Sequence, residues 1–162
     1  MFQGDFRVFS LNADNLTQIL IGMATIVITY ASVSNSRRMA KIRIYQSYLD
    51  AWHEINNTLV AEPSLRALIA EAHWPDERAD QIMLEAFVHK YLDVLALSYR
   101  ASRFGALTRK DFFADTEDIV RELGFMAPTA NKFVNRSAFH PSVKRAFKNA
   151  FERLYNDTQK KP

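Results

Sequence analysis

The most constraining feature of this sequence is a run of 22 residues without a charged side chain, between Asp14 and Arg37. As an α-helix such a run is about 33 Å long, and the hydrocarbon core of a bilayer is about 30 Å thick. Its side chains are mostly apolar, and most of the others are small or hydroxylated. The run therefore predicts a transmembrane helix over residues 15–36, preceded by a short external segment at residues 1–14.

Two other interpretations of this run are a cleaved signal peptide and a buried core helix. A signal peptide begins with a basic region, whereas residues 1–14 carry two Asp and one Arg. A basic cluster directly after the apolar run is also unfavourable for a signal peptide. A core helix is usually shorter than this run. A membrane span is therefore the preferred interpretation.

Basic residues after the apolar run predict its orientation. Four of them follow it closely: Arg37, Arg38, Lys41 and Arg43. The positive-inside rule places this end in the cytoplasm, together with a helical domain over residues 37–155 and a frayed tail at 156–162. The same four side chains are expected to lie against anionic lipid headgroups.

A stripe of small and polar residues runs along the predicted span, and we call it the seam. Its members are Gln18, Gly22, Thr25, Thr29, Ser32 and Ser36. At 100° per residue, all six lie within about 40° of one line. Hydroxyl groups can simply bond to carbonyls of their own helix, but small residues in register also allow close helix packing. The seam predicts a contact with another transmembrane helix, either a second copy or part of a larger complex.

The remaining chain predicts an all-α fold, in which the membrane helix continues into a cytoplasmic bundle of about five helices. No Gly or Pro occurs between Met23 and Glu62, so the first helix is expected to continue to about Val60. Its cytoplasmic part carries an apolar stripe with helical spacing: Ile42, Tyr45, Leu49, Trp52, Ile55 and Leu59.

Helix signals divide the rest of the domain. A short helix is expected at residues 64–73, and Asp76 or Asp80 is expected to cap a long helix that reaches Arg103. The apolar residues of this long helix cover most of its circumference, which is typical of a central helix.

Three further signals mark the later helices. Thr108 and Asp111 resemble a capping box, and Gly124 is suited to end the helix that follows. One helical turn is expected after Pro128, and Pro141 suits the first position of the last helix.

Four short motifs resemble a known family. They are Arg37-Arg38, Glu-Pro-Ser-Leu at 62–65, Phe-Gly-Ala-Leu-Thr at 104–108 and Phe-His-Pro at 139–141. In this order, over about residues 16–155, they resemble a family of uncharacterised bacterial proteins with one N-terminal membrane helix and a small helical cytoplasmic domain. The resemblance implies an inner-membrane protein and supplies no catalytic residues.

The composition excludes several kinds of chemistry. The chain has no Cys, which excludes a cysteine nucleophile, a thiolate zinc site and a cysteine-ligated iron–sulfur centre. It has no phosphate-binding glycine loop, no Gly-x-Ser-x-Gly elbow and no His-Glu-x-x-His motif. We therefore predict no cofactor and no enzymatic activity.

One helix face offers a candidate metal site. Glu85, His89 and Asp93 are spaced four residues apart, which places them on the same side of the long helix. The alternative is a solvated polar stripe with a weak Glu85–His89 pair.

The C-terminal end is basic, with 8 basic and 2 acidic residues over 132–161. Lys144, Arg145 and Lys148 share one face of the last helix, which is expected to be solvated or to contact anionic lipid or an acidic partner. No nucleic-acid-binding module is recognisable, so no nucleic-acid partner is predicted.

These observations predict a single-pass inner-membrane protein that acts by protein–protein contact, as an accessory or assembly subunit of a membrane complex. The alternative is a metal-binding enzyme or sensor in the helical bundle, tethered to the membrane.

Overall fold

A computed structural model describes residues 13–159, and the side chains of residues 16–155. In this part of the chain every regular element is helical, which confirms the predicted all-α class. The α-helices are α1 (Ala13–Ala61), α2 (Pro63–Glu71), α3 (Arg78–Arg103), α4 (Arg109–Leu123), α5 (Ala127–Arg136) and α6 (Pro141–Gln159). A short 3₁₀ turn, Gly124–Met126, joins α4 to α5.

Helix α1 is 49 residues long and is unbroken, as the absence of Gly and Pro after Met23 predicts. It ends at Ala61 because Pro63, which lacks a backbone N–H, opens α2 at its first turn. The chain divides between Ala40 and Lys41 into two compact units. The second unit contains the end of α1 and helices α2–α6, and it holds the hydrophobic core.

Helix α3 is the centre of this core, as its apolar circumference predicts. Nine of its residues are buried: Leu84, Phe87, Val88, Tyr91, Leu92, Val94, Leu95, Ser98 and Ala101. Helices α2, α4, α5 and α6 all pack against it. A helix buried on several sides needs apolar residues around most of its surface, and this requirement is met here.

Helix α4 begins with the predicted capping box. The Asp111 backbone N–H donates to the Thr108 hydroxyl at 3.1 Å, and the Thr108 N–H donates to the Asp111 carboxylate at 2.8 Å. These hydrogen bonds lower the pKa of the Asp111 carboxyl. The helix ends before Gly124, whose φ of +49° is a conformation that favours glycine.

Several predicted boundaries differ from the structure. Neither Asp76 nor Asp80 caps α3, because the helix begins at Arg78 after an extended Glu77. The Gln81 amide holds this entry instead, since its Nε2 donates to the Pro75 carbonyl at 3.0 Å.

Helix α5 has ten residues where one turn was expected, because Pro128 lies in its first turn and does not interrupt it. Helix α6 starts at Pro141 as predicted and extends to Gln159, into the segment expected to be frayed. The external segment expected before the span, up to residue 12, and residues 160–162 of the tail lie outside the described residues.

The apolar stripe of α1 is only partly buried. Ile55 is 1% exposed and Trp52 and Leu59 are partly buried, whereas Ile42, Tyr45 and Leu49 are 38–41% exposed. Tyr48, which the stripe omitted, is buried instead. The end of the stripe nearest the predicted span therefore keeps an exposed apolar surface.

The core burial generates a testable contrast between two phenylalanines. Phe147 on α6 is fully buried, and Phe113 on α4 is 53% exposed. We expect Phe147→Ala to lower the stability of the domain by about 3–5 kcal/mol, because it leaves a cavity. Phe113→Ala should cost less than about 1 kcal/mol. Thermal unfolding of the full chain in detergent, followed by circular dichroism, compares the two; equal losses would contradict the assigned core.

Candidate interaction surfaces

The seam residues all lie on α1, and all six are exposed. The large apolar residues around them are exposed as well, and Ile26, Ile28 and Tyr30 reach 68–76%. Only Leu16–Ala61 among the described helices is long and apolar enough to cross a membrane, and none of its most apolar window is buried. The described chain therefore supplies no cover for this surface.

Among the described residues, no packing contact requires a glycine at position 22. A Cβ built on Gly22 meets no atom within 4 Å, and its backbone is ordinary helix. Gly in a helix interior costs up to about 1 kcal/mol relative to Ala. The described contacts do not offset that cost. A glycine on an open helix face does allow a second helix to approach closely.

One seam hydroxyl bonds within its own helix. Thr25 Oγ1 donates to the Ile21 carbonyl at 2.8 Å, which is the alternative function of such residues. This bond satisfies the Thr25 hydroxyl proton and leaves its oxygen able to accept from a neighbouring helix.

The basic cluster is also open. Arg37, Arg38, Lys41 and Arg43 are all exposed, and no described carboxylate lies within ion-pair distance of them. Four unpaired cations close together repel each other, and an anionic surface would relieve that repulsion.

The three candidate metal ligands do not come together. Glu85 pairs with Arg78 at 3.6 Å, and the His89 ring stacks on Phe133 with centroids 4.7 Å apart. Asp93 lies farther along α3. In the described part of the chain, no group of three or more His, Asp or Glu is arranged to hold a metal ion. Glu85, His89 and Asp93 are therefore not a ligand set in this structure.

Asp93 instead lines an open groove between α1 and α3. The groove has a volume of about 520 Å³, and its acidic residues are Asp50, Glu54 and Asp93. Glu54 is neutralised by an ion pair with Lys90, and Arg100 lies at the same groove. The negative charges of the groove are therefore partly balanced by the nearby basic residues Lys90 and Arg100.

A polar network joining three helices was missed by the sequence analysis. Asp115 on α4 accepts a hydrogen bond from Tyr48 of α1 at 2.9 Å and one from Ser98 of α3 at 2.5 Å. Ser98 is completely buried and Tyr48 nearly so. Because the partners are far apart in the sequence, no local pattern indicates them.

Two buried tyrosines of the core are held in the neutral form. Burial raises the pKa of Tyr48, which donates to Asp115, although a hydrogen bond from Trp52 opposes the shift. Burial also raises the pKa of Tyr91, and the nearby Glu122 carboxylate adds to the effect. Both hydroxyls therefore remain donors at any physiological pH.

His140 caps the last helix. Its Nδ1 accepts from the Ser142 backbone N–H at 3.2 Å and lies 2.8 Å from the Tyr99 hydroxyl. An Nδ1 that accepts these bonds carries no proton, so the ring proton is on Nε2. His140 is thus occupied by a structural function.

The basic face of α6 is partly neutralised. Lys144 Nζ donates to the Asn135 carbonyl at 2.9 Å, and Lys148 lies 3.7 Å from Glu152. Of the three predicted members, only Lys148 has an ion pair among the described residues. This face has the properties of an ordinary solvated surface.

The chain matches no family model, no curated protein and no solved structure. The family resemblance of the four motifs therefore stays a prediction.

The Asp115 network predicts a specific pattern of destabilisation. We expect Asp115→Ala to lower stability by about 2 kcal/mol, because it leaves the Ser98 and Tyr48 hydroxyls without an acceptor. Asp115→Asn keeps one side-chain acceptor and should cost less. Chemical denaturation of the full chain in detergent measures both. An Asn variant as unstable as the Ala variant would show that the amide cannot replace the carboxylate.

Proposed function

We propose that this chain is a single-pass membrane protein that acts by protein–protein contact, as an accessory or assembly subunit of a membrane complex. Residues 15–36 span the bilayer in this proposal, and the seam packs against another transmembrane helix. The observation that carries it is Gly22, a glycine in an exposed helix interior for which the described part of the chain provides no packing partner. A glycine at this position allows the backbone of a second helix to approach closely.

The proposal includes an orientation. The exposed basic cluster lies on the cytoplasmic side of a plasma membrane, here a bacterial inner membrane, and the helical domain is cytoplasmic. Support comes from the charge asymmetry across the apolar run. The low charge before the run and the four cations after it are opposite to the pattern of a signal peptide.

The seam supports contact with a helix rather than with lipid alone. Lipid tails gain little from Ser, Thr, Gln or Gly, whereas a packed helix gains close van der Waals contact and hydrogen bonds of about 0.6–2 kcal/mol each. Six such residues in register therefore favour a helix partner. A second copy of the chain and a helix of a larger complex both fit this chemistry.

A pair of small-to-large substitutions tests the seam. We expect Gly22→Leu with Thr25→Leu to abolish co-purification of the transmembrane partner in mild detergent, because two isobutyl groups separate the helices. The matched control is Ala31→Leu with Ser34→Leu, whose positions lie about 140° and 160° from the seam at 100° per residue. Affinity purification with mass spectrometry measures association with other proteins. Co-purification of two differently tagged copies of the chain measures self-association.

The two measurements distinguish a different protein from a second copy of the chain as the partner. Loss of another protein in the seam variant alone supports the subunit proposal, and loss of self-association alone assigns the seam to a homo-oligomer. Equal association of wild type, seam variant and control would contradict a packing function for the seam.

The absence of Cys makes the orientation directly measurable. We expect Asn149→Cys, an exposed position on α6, to react with a membrane-impermeant maleimide only after the cells are permeabilised. Gln3→Cys should react in intact cells, because it precedes the span. Labelling of Asn149→Cys in intact cells would reverse the proposed orientation, and its recovery in the soluble fraction would contradict the span itself.

A further inference from the structure

A cleft at the α3–α4 turn combines positive charge with hydroxyl groups. It has a volume of about 330 Å³, and we call it the arginine cleft. Arg103 ends α3 and Arg109 begins α4, and the hydroxyls of Tyr99, Ser102 and Ser142 line the same space. Its lining residues include no carboxylate. The Ser102 hydroxyl donates to the Tyr99 carbonyl and the Tyr99 hydroxyl bonds to His140. The cleft therefore offers two cations and the Ser142 hydroxyl to one small volume.

Both arginines are available for a ligand. Each is exposed, and neither is within ion-pair distance of a carboxylate among the described side chains. The nearest acidic residue in the sequence is Asp111. Its carboxylate already accepts a hydrogen bond from the Thr108 backbone N–H, and its backbone N–H donates to the Thr108 hydroxyl. Paired guanidinium groups of this kind match the oxygens of a phosphate group.

Two exposed phenylalanines lie at the cleft or next to it in the chain, and we call them the rim: Phe113 lines the cleft, and Phe104 directly follows Arg103. Phe104, in the turn, is 56% exposed, and Phe113, on the first part of α4, is 53% exposed. Lys110, also exposed, lies between them in the sequence. Exposed aromatic rings beside basic side chains are typical of surfaces that lie at a membrane interface. A soluble anion would not require such a rim, whereas the glycerol and upper acyl region of a lipid would contact it.

The turn contacts the first residue of the second unit, Lys41. A Cβ built on Gly105 would be 3.4 Å from Lys41 Nζ, so the Lys41 side chain lies against the turn. Lys41 follows Ser36 by five residues, which reach at most about 18 Å even when fully extended. The turn therefore contacts a residue that the chain holds within about 18 Å of the end of the proposed span.

We infer that the arginine cleft and its phenylalanine rim bind the phosphate headgroup of an anionic phospholipid in the leaflet beside the span. This inference rests on the proposed membrane anchoring. The guanidinium groups of Arg103 and Arg109 contact the phosphate oxygens, and Phe104 and Phe113 enter the interface. The domain is then held against the membrane by a second contact, separate from the helix itself.

The test uses the full chain reconstituted in nanodiscs. An environment-sensitive dye on Ala106→Cys reports contact of the turn with lipid, and phosphatidylglycerol is added stepwise to phosphatidylcholine. We expect the apparent affinity of the turn for phosphatidylglycerol to fall about thirtyfold in Arg103→Gln with Arg109→Gln, which moves the midpoint of the dye response to a higher phosphatidylglycerol fraction, since each basic residue contributes about fivefold to binding at an anionic surface. The matched control, Arg66→Gln with Arg145→Gln, removes the same charge elsewhere and should change the midpoint little.

Each further outcome decides one question. A Phe104→Ser variant with a weakened response supports the rim, and it provides a second test if the double-arginine variant fails to fold. Inorganic phosphate that produces the full response in phosphatidylcholine alone would overturn the lipid assignment in favour of a soluble anion. Equal midpoints for the cleft variant and its control would overturn the site.

Anchoring is scored separately, by resistance of the chain to alkaline carbonate extraction from vesicles. A chain that is anchored but shows no response to phosphatidylglycerol contradicts this inference alone. A chain that is extracted by carbonate contradicts the proposed span.

Discussion

Between Leu16 and Val33, helix α1 carries ten large apolar side chains that are 45–76% exposed. Full burial of one such side chain is worth roughly 1.5–3 kcal/mol. Even half of that gain for each of the ten is comparable with the roughly 5–15 kcal/mol net stability of a whole domain. The surroundings of this helix therefore decide the state of the whole chain, and water is the least favourable of them.

The helical domain has a hydrophobic core of its own, and its polar side chains form hydrogen bonds within the domain. Asp115 ties α1 to α3 and α4 through two hydroxyls, and His140 caps α6 while it contacts Tyr99. No buried side-chain donor or acceptor among the described residues is left without a partner. Two of the candidate metal ligands also have partners inside the domain. Glu85 forms an ion pair with Arg78, and the His89 ring stacks on Phe133.

Features that depend on neighbours in the sequence could be predicted, and features that depend on distant residues could not. The Thr108–Asp111 capping box, the end of α4 at Gly124 and the start of α6 at Pro141 follow from local backbone chemistry. Tyr48 and Asp115 are 67 positions apart, so their hydrogen bond depends on how the helices pack. Helical spacing likewise groups Ile42 with Ile55, although Ile55 is buried and Ile42 is 41% exposed.

The α3–α4 turn shows how a local signal leads to a surface that the sequence alone does not reveal. Gly105 adopts φ +69°, which a side chain rarely tolerates, and this lets the chain reverse within a few residues. The reversal brings Arg103, at the end of one helix, to the same cleft as Arg109, at the start of the next. A glycine such as Gly105 indicates a break in a helical pattern. The pairing of the two guanidinium groups follows only from the angle at which α4 returns along α3. A substitution that straightened this turn would therefore separate the two cations without removing either of them.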